Sequence, residues 1–138
     1  MAVITDVGNP TDIHPTQKEP VGQRLAFAAR ALVYGEKIEY SGPLYQAMKT
    51  KGDQVAVSFT HVGGGLVAKD GALKGFTIAG ADGKFVPAKA EIKGANVIVS
   101  AEGVSDPKAV RYGWANTPDV NLFNKEGIPA SPFRTDVD

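Results

Sequence analysis

Two residues near the start of the chain are of the right type and spacing to move a proton. His14 is one of only two histidines, and Asp12 stands two positions before it in the run Asp12-Ile13-His14-Pro15. A free imidazole titrates near pH 6.5, so a carboxylate that fixes its tautomer and stabilises the imidazolium makes it a general base near neutral pH. Asp12 can be that carboxylate, and so can Asp6. Spacing alone does not choose between them, and a loop histidine beside an acid is also a common surface or capping residue.

The elements around His14 decide how it could be held. Ala2 to Asp6 alternates weakly and runs into Val7-Gly8-Asn9-Pro10, the pattern of a short strand ending in a turn. Beyond His14 the spacing predicts a helix from about Pro20 to Tyr34. Proline suits the first helical position, and Gly35 suits the left-handed residue past the end. Val21, Leu25, Ala28 and Leu32 recur at helical spacing, with Phe27, Ala31 and Tyr34 widening the apolar side. His14 is therefore expected at a loop-to-helix junction. A helix of this length is marginal alone in water, so its broad apolar face must be covered by the downstream region or by a second copy.

Two blocks carry a resemblance. Asp12-Ile13-His14-Pro15 through Lys18, Pro20-Val21-Gly22-Gln23-Arg24-Leu25-Ala26 and Ala29-Arg30-Ala31-Leu32-Val33-Tyr34-Gly35-Glu36 resemble the last sequence block of the sialate O-acetylesterase family of SGNH-type serine esterases. Val110-Arg111-Tyr112-Gly113-Trp114, Asn121-Leu122-Phe123-Asn124 and Gly127 to Asp136 resemble its C-terminal signature. The resemblance implies that His14 completes a Ser-His-Asp arrangement with Asp12 as its orienting acid. The wider SGNH pattern places that acid three residues before the histidine, where this chain has Thr11. It also implies a nucleophilic serine in a glycine-rich block upstream of these residues, an acetylated sialic acid or plant polysaccharide as substrate, no cofactor, and a bacterial secreted or periplasmic parent. For this part of such a protein the localisation stays unknown.

Ser41, Ser58, Ser100, Ser105 and Ser131 are the serines within the chain, and none lies in a Gly-x-Ser-x-Gly elbow. The isolated chain is accordingly expected to be inactive as an esterase.

Composition removes other classes. Fifteen basic and fifteen acidic residues leave no net charge, so neither nucleic acid nor an anionic membrane is an expected partner. With no cysteine there is no disulfide, thiolate ligand or cysteine nucleophile. No apolar run approaches the ~20 residues that span a bilayer. His61 has no second imidazole at ligand spacing, so no metal site is expected. The adjoining Gly63-Gly64-Gly65 opens no helix and reads as a loop or bulge rather than a phosphate cradle.

After a mixed stretch from Glu36 to Asp53, read as a linker, strand signals take over. Val55, Val57 and Phe59 alternate with small or polar residues. Phe76 to Ala79 and Phe85 to Ile92 flank an Asp82-Gly83 turn, Gly94-Ala95-Asn96 leads into Val97-Ile98-Val99, and Ala109 to Trp114 follows Ser105-Asp106-Pro107. Short strands joined by tight turns indicate an antiparallel β-sandwich. The proline-interrupted end keeps Trp114, Leu122, Phe123 and Phe133, expected to pin it over a sheet edge. The fold class is therefore mainly β: a sandwich over 41–138, preceded over 1–40 by a short strand and one amphipathic helix, which the resemblance implies are left over from an α/β hydrolase domain.

Two functions follow. The first is the C-terminal part of a carbohydrate O-acetylesterase, supplying the base but not the nucleophile. The second is a non-catalytic carbohydrate-binding sandwich, with Tyr112, Trp114 and Phe123 as candidate ring faces for sugar. Tyr112 and Trp114 would share one strand face by period two, which fits a platform or a core stripe equally.

Overall fold

In the computed structural model, which describes residues 1–136, ten strands and one helix form an antiparallel β-sandwich with an N-terminal arm. One sheet contains β1 (Leu44–Lys51), β2 (Gln54–Thr60), β7 (Asn96–Ser100) and β6 (Lys89–Lys93), in the order β1-β2-β7-β6. The other contains β10 (Phe133–Arg134), β8 (Ala109–Tyr112), β4 (Phe76–Ala79) and β5 (Val86–Pro87), in that order. A two-stranded ribbon of β3 (Leu66–Ala68) and β9 (Leu122–Asn124) closes one end.

Alternation builds the core. Val55, Val57 and Phe59 of β2 and Val97 and Val99 of β7 point inward from one sheet. Phe76 and Ile78 of β4 and Val110 and Tyr112 of β8 meet them from the other. Phe133 sits among the rings of Tyr45, Phe59, Tyr112 and Phe76 at centroid separations of 4.9, 5.8, 6.0 and 6.3 Å. It enters from the proline-interrupted end of the chain and rivets that end into the core.

Three elements differ from expectation. The stretch read as a linker contains β1, paired along its length with β2 through the Gly52-Asp53 turn. A bulge between Tyr45 and Ala47 shifts the register, so Tyr45 and Met48 both face the core although they are three apart. The Phe85–Ile92 run divides: Val86 and Pro87 pair with β4, whereas Lys89 to Lys93 pair with β7 in the opposite sheet. Pro87, which has no N–H for a continuous ladder, stands where the chain changes sheet at a sandwich corner. At the N-terminus, Ala2 to Asp6 forms no strand. The N–H of Val7 donates to the carbonyl of Ile4 in a turn instead, because period two needs a neighbouring strand to make a sheet.

The helix α1 (Glu19–Leu32) begins one residue before the predicted start and ends two before the predicted end. Gly35 takes the left-handed conformation (φ 71°), and the N–H of Glu36 folds back onto the carbonyl of Arg30. The apolar face is only partly covered: Val21, Phe27, Ala28 and Ala31 are half-buried, whereas Leu25, Leu32, Val33 and Tyr34 are exposed, as is Ile13 in the preceding loop.

Candidate active site

The His14 turn is built by short-range hydrogen bonds. The Asn9 side-chain oxygen accepts the N–H groups of Thr11 (2.9 Å) and Asp12 (3.2 Å) and the Thr11 hydroxyl (3.0 Å). This is the local turn chemistry that asparagine favours. Asp12 Oδ1 in turn accepts the His14 backbone N–H at 2.8 Å and lies 3.3 Å from His14 Nδ1. With that carboxylate at Nδ1, the proton belongs on Nδ1 and the lone pair of the neutral ring is at Nε2. Both side chains are open to solvent, at 79% and 55% exposure for His14 and Asp12. An oriented imidazole thus stands on an exposed turn.

Asp6 is engaged elsewhere. Its carboxylate makes a two-pronged ion pair with Arg24, both contacts at 2.7 Å, and Arg24 also donates to the Val3 carbonyl at 2.8 Å. Arg24, read from the sequence as one of the helix's polar positions, is its buried residue. It ties the segment before His14 to the helix after it, fixing both ends of the His14 turn. Planar two-pronged pairing is what a guanidinium, rather than an ammonium, supplies.

A second carboxylate–imidazole pair lies where the arm meets the sandwich. Glu39 Oε1 is 2.7 Å from His61 Nδ1, and Tyr40 packs edge-on to the imidazole at 5.1 Å. His61 has a positive φ of 55°, an uncommon conformation for a side-chain-bearing residue. Asn124, fully buried, donates to the carbonyls of Ser41 and His61 and accepts the Ile128 N–H. Nothing in local spacing connects residues 22 and 63 positions apart, so this junction could not be read from the sequence.

Three of the five serines are bonded elsewhere or buried. Ser41 and Ser58 hydroxyls donate to the carbonyls of Gly42 (2.9 Å) and Ala47 (3.2 Å), and the Ser131 hydroxyl is buried. Among the described residues the hydrogen bonds of His14 run to Asp12.

The three aromatic candidates are separated rather than gathered. Tyr112 is 1% exposed, with its hydroxyl oxygen accepting the Leu122 N–H at 3.0 Å, and burial raises its pKa to about 12. Phe123 is buried beneath the ammonium of Lys69, which lies 3.9 Å from the ring centroid. Neither ring offers a face for stacking. Trp114 is 54% exposed and does not share a strand face with Tyr112, because β8 ends at Tyr112 and Gly113 turns the chain with φ 59°. A side chain at 113 would be strained by that φ, and its Cβ would stand 3.2 Å from Val120.

The C-terminal motif residues do structural work. Asn121 donates to the carbonyls of Lys69 and Ala72 and accepts the Lys74 N–H. Arg111 pairs with Asp136 at 2.9 and 2.6 Å, and Arg134 approaches the same carboxylate at 3.7 Å. The guanidinium of Arg111 holds the Asp136 carboxyl down to about 2.

No protein-family model and no curated protein sequence matches the chain. Among solved structures, it is similar to a carbohydrate acetylesterase from Xanthomonas citri, with 50% sequence identity and a TM-score of 0.96. The likeness covers 99% of this chain and 32% of that one, so the chain spans about a third of the length of the enzyme it matches.

Proposed function

We propose that the chain is the histidine-bearing part of a carbohydrate O-acetylesterase of the SGNH, sialate O-acetylesterase-like kind. The observation that carries this reading is the 50% identity to a carbohydrate acetylesterase across nearly the whole chain. The geometry at residues 9–14 supports it. Asp12 orients His14 through Nδ1, and Nε2 takes the proton of a serine that the remaining part of the enzyme supplies. That serine attacks the acetyl carbonyl, and water then hydrolyses the acyl-serine. Residues 1–40 belong to the hydrolase domain, and 41–138 form its accessory sandwich. The uncovered side of α1, with Leu25, Leu32 and Val33, is where the rest of the hydrolase packs, and in its absence a second copy can cover the same side.

In this reading the substrate is an acetylated carbohydrate. A purely recognising module is the second reading, favoured by one observation, the half-exposed Trp114. Acetate release from acetylated xylan by the isolated chain separates a divided site from a self-contained one. Release at the buffer rate is the expected result. Turnover that disappears in His14→Ala would mean the chain completes its own triad.

A further inference from the structure

We propose that Trp114 is a sugar-ring subsite at the far end of a groove that begins beside the His14 turn. The carbohydrate bound is then an oligosaccharide chain rather than a monosaccharide. This deepens the acetylesterase reading and rests on it for the class of ligand.

The groove follows from two hollows side by side. One, of about 440 Å³, is formed by Gly113, Trp114, Ala115, Asn116 and Pro132. The other, of about 680 Å³, shares Asn116 and Pro132 and has Val3, Ile4, Asn9 and Pro10 among its opposite walls. Asn9 is the residue whose side chain anchors the turn presenting His14. The groove therefore runs from an exposed indole to the foot of the candidate base. Each hollow falls in the range that holds one small ligand, about 300–1,000 Å³. Two in series suit several linked rings.

The Trp114 end of the groove is suited to sugar. A half-exposed indole offers an apolar face to pyranose C–H groups, while its N–H can reach a hydroxyl. Arg134 lies with its guanidinium carbon 5.4 Å from the Trp114 centroid and approaches Asp136 at 3.7 Å. Gly113 supplies the backbone turn that swings Trp114 out of the strand face, where Tyr112 is buried.

Trp114 is the chain's single tryptophan, so its emission reports on this subsite alone. The test titrates the chain with neutral β-linked pentasaccharides of glucose, xylose and mannose, and with the three monosaccharides. The expected result is a saturable emission change with at least one pentasaccharide, at least tenfold tighter than with its monosaccharide. Calorimetry should show that binding lost in both Trp114→Ala and Ala115→Arg, the second blocking the hollow while keeping the indole. Silence across the panel, equal affinity for monomer and pentamer, or binding that survives both substitutions in folded protein would overturn the subsite. Absent binding together with His14-dependent acetate release from a completed enzyme would remove the subsite and leave the esterase reading standing.

Discussion

The arm and the sandwich are held together by different physics. In the sandwich, Val55, Val57, Ile78, Val97, Val99 and Val110 are fully buried, and its two buried asparagines have their donors and acceptors satisfied. In the arm, the ion pairs Asp6–Arg24 and Arg30–Glu36 and one turn around Asn9 hold the backbone, while Leu25 and Leu32 of α1 face solvent. The sandwich can supply its own stability by apolar burial. The arm buries little beyond Val7 and Arg24, so the proposed base His14 stands on the region most dependent on a neighbour.

Substitutions should separate the two regions. The largest effect is expected for Phe133→Ala, which removes the ring shared by four aromatic neighbours. A loss of about 4 kcal/mol in urea unfolding is expected, with the sandwich and its β-sheet signal lost together. Next comes a pH effect specific to the sandwich. Burial raises Tyr112 to about 12 in the folded state, so its contribution is intact below pH 10. As pH rises from 10 through 12 the unfolded chain ionises first, and about 3 kcal/mol of stability is lost. Tyr112→Phe should flatten that alkaline slope in a series of unfolding curves, although it also removes the acceptor for the Leu122 N–H.

Arg24→Ala should act on the arm alone. It leaves Asp6 without its partner and releases Val3, so about 2 kcal/mol of local stability is expected to go. Amide exchange would quicken over residues 3–14 and in α1 while β2 and β7 remain protected; equal acceleration everywhere would merge the two regions into one cooperative unit. The smallest effect belongs to Leu32→Glu. On an exposed position it should change unfolding by no more than about 0.5 kcal/mol, and it should reduce any self-association seen in sedimentation.

Legibility in the sequence followed the range of the interactions. Strands β2 and β7, the Gly94 turn and the helix with its Gly35 stop were readable because period and turn residues are local properties. Asp12 is legible only as one of two candidate partners of His14, because it stands two residues away on one turn. Strand β1 was not, because its bulge breaks the period that identifies a strand. The choice between Asp6 and Asp12 depended on Arg24, eighteen residues from Asp6, and the Glu39–His61 pair joins segments that only the fold brings together. Period two puts Tyr112 and Trp114 on one face, whereas a single left-handed glycine between them sends one inward and the other out.

The most direct test of His14 as the base of a divided active site is acetate release from acetylated xylan by this chain joined to the remaining two-thirds of the Xanthomonas citri acetylesterase. The account predicts turnover for the joined protein and a fall of at least a thousandfold in kcat for His14→Ala, with Asp12→Asn impaired to a lesser degree. Full turnover in the His14→Ala protein would contradict it.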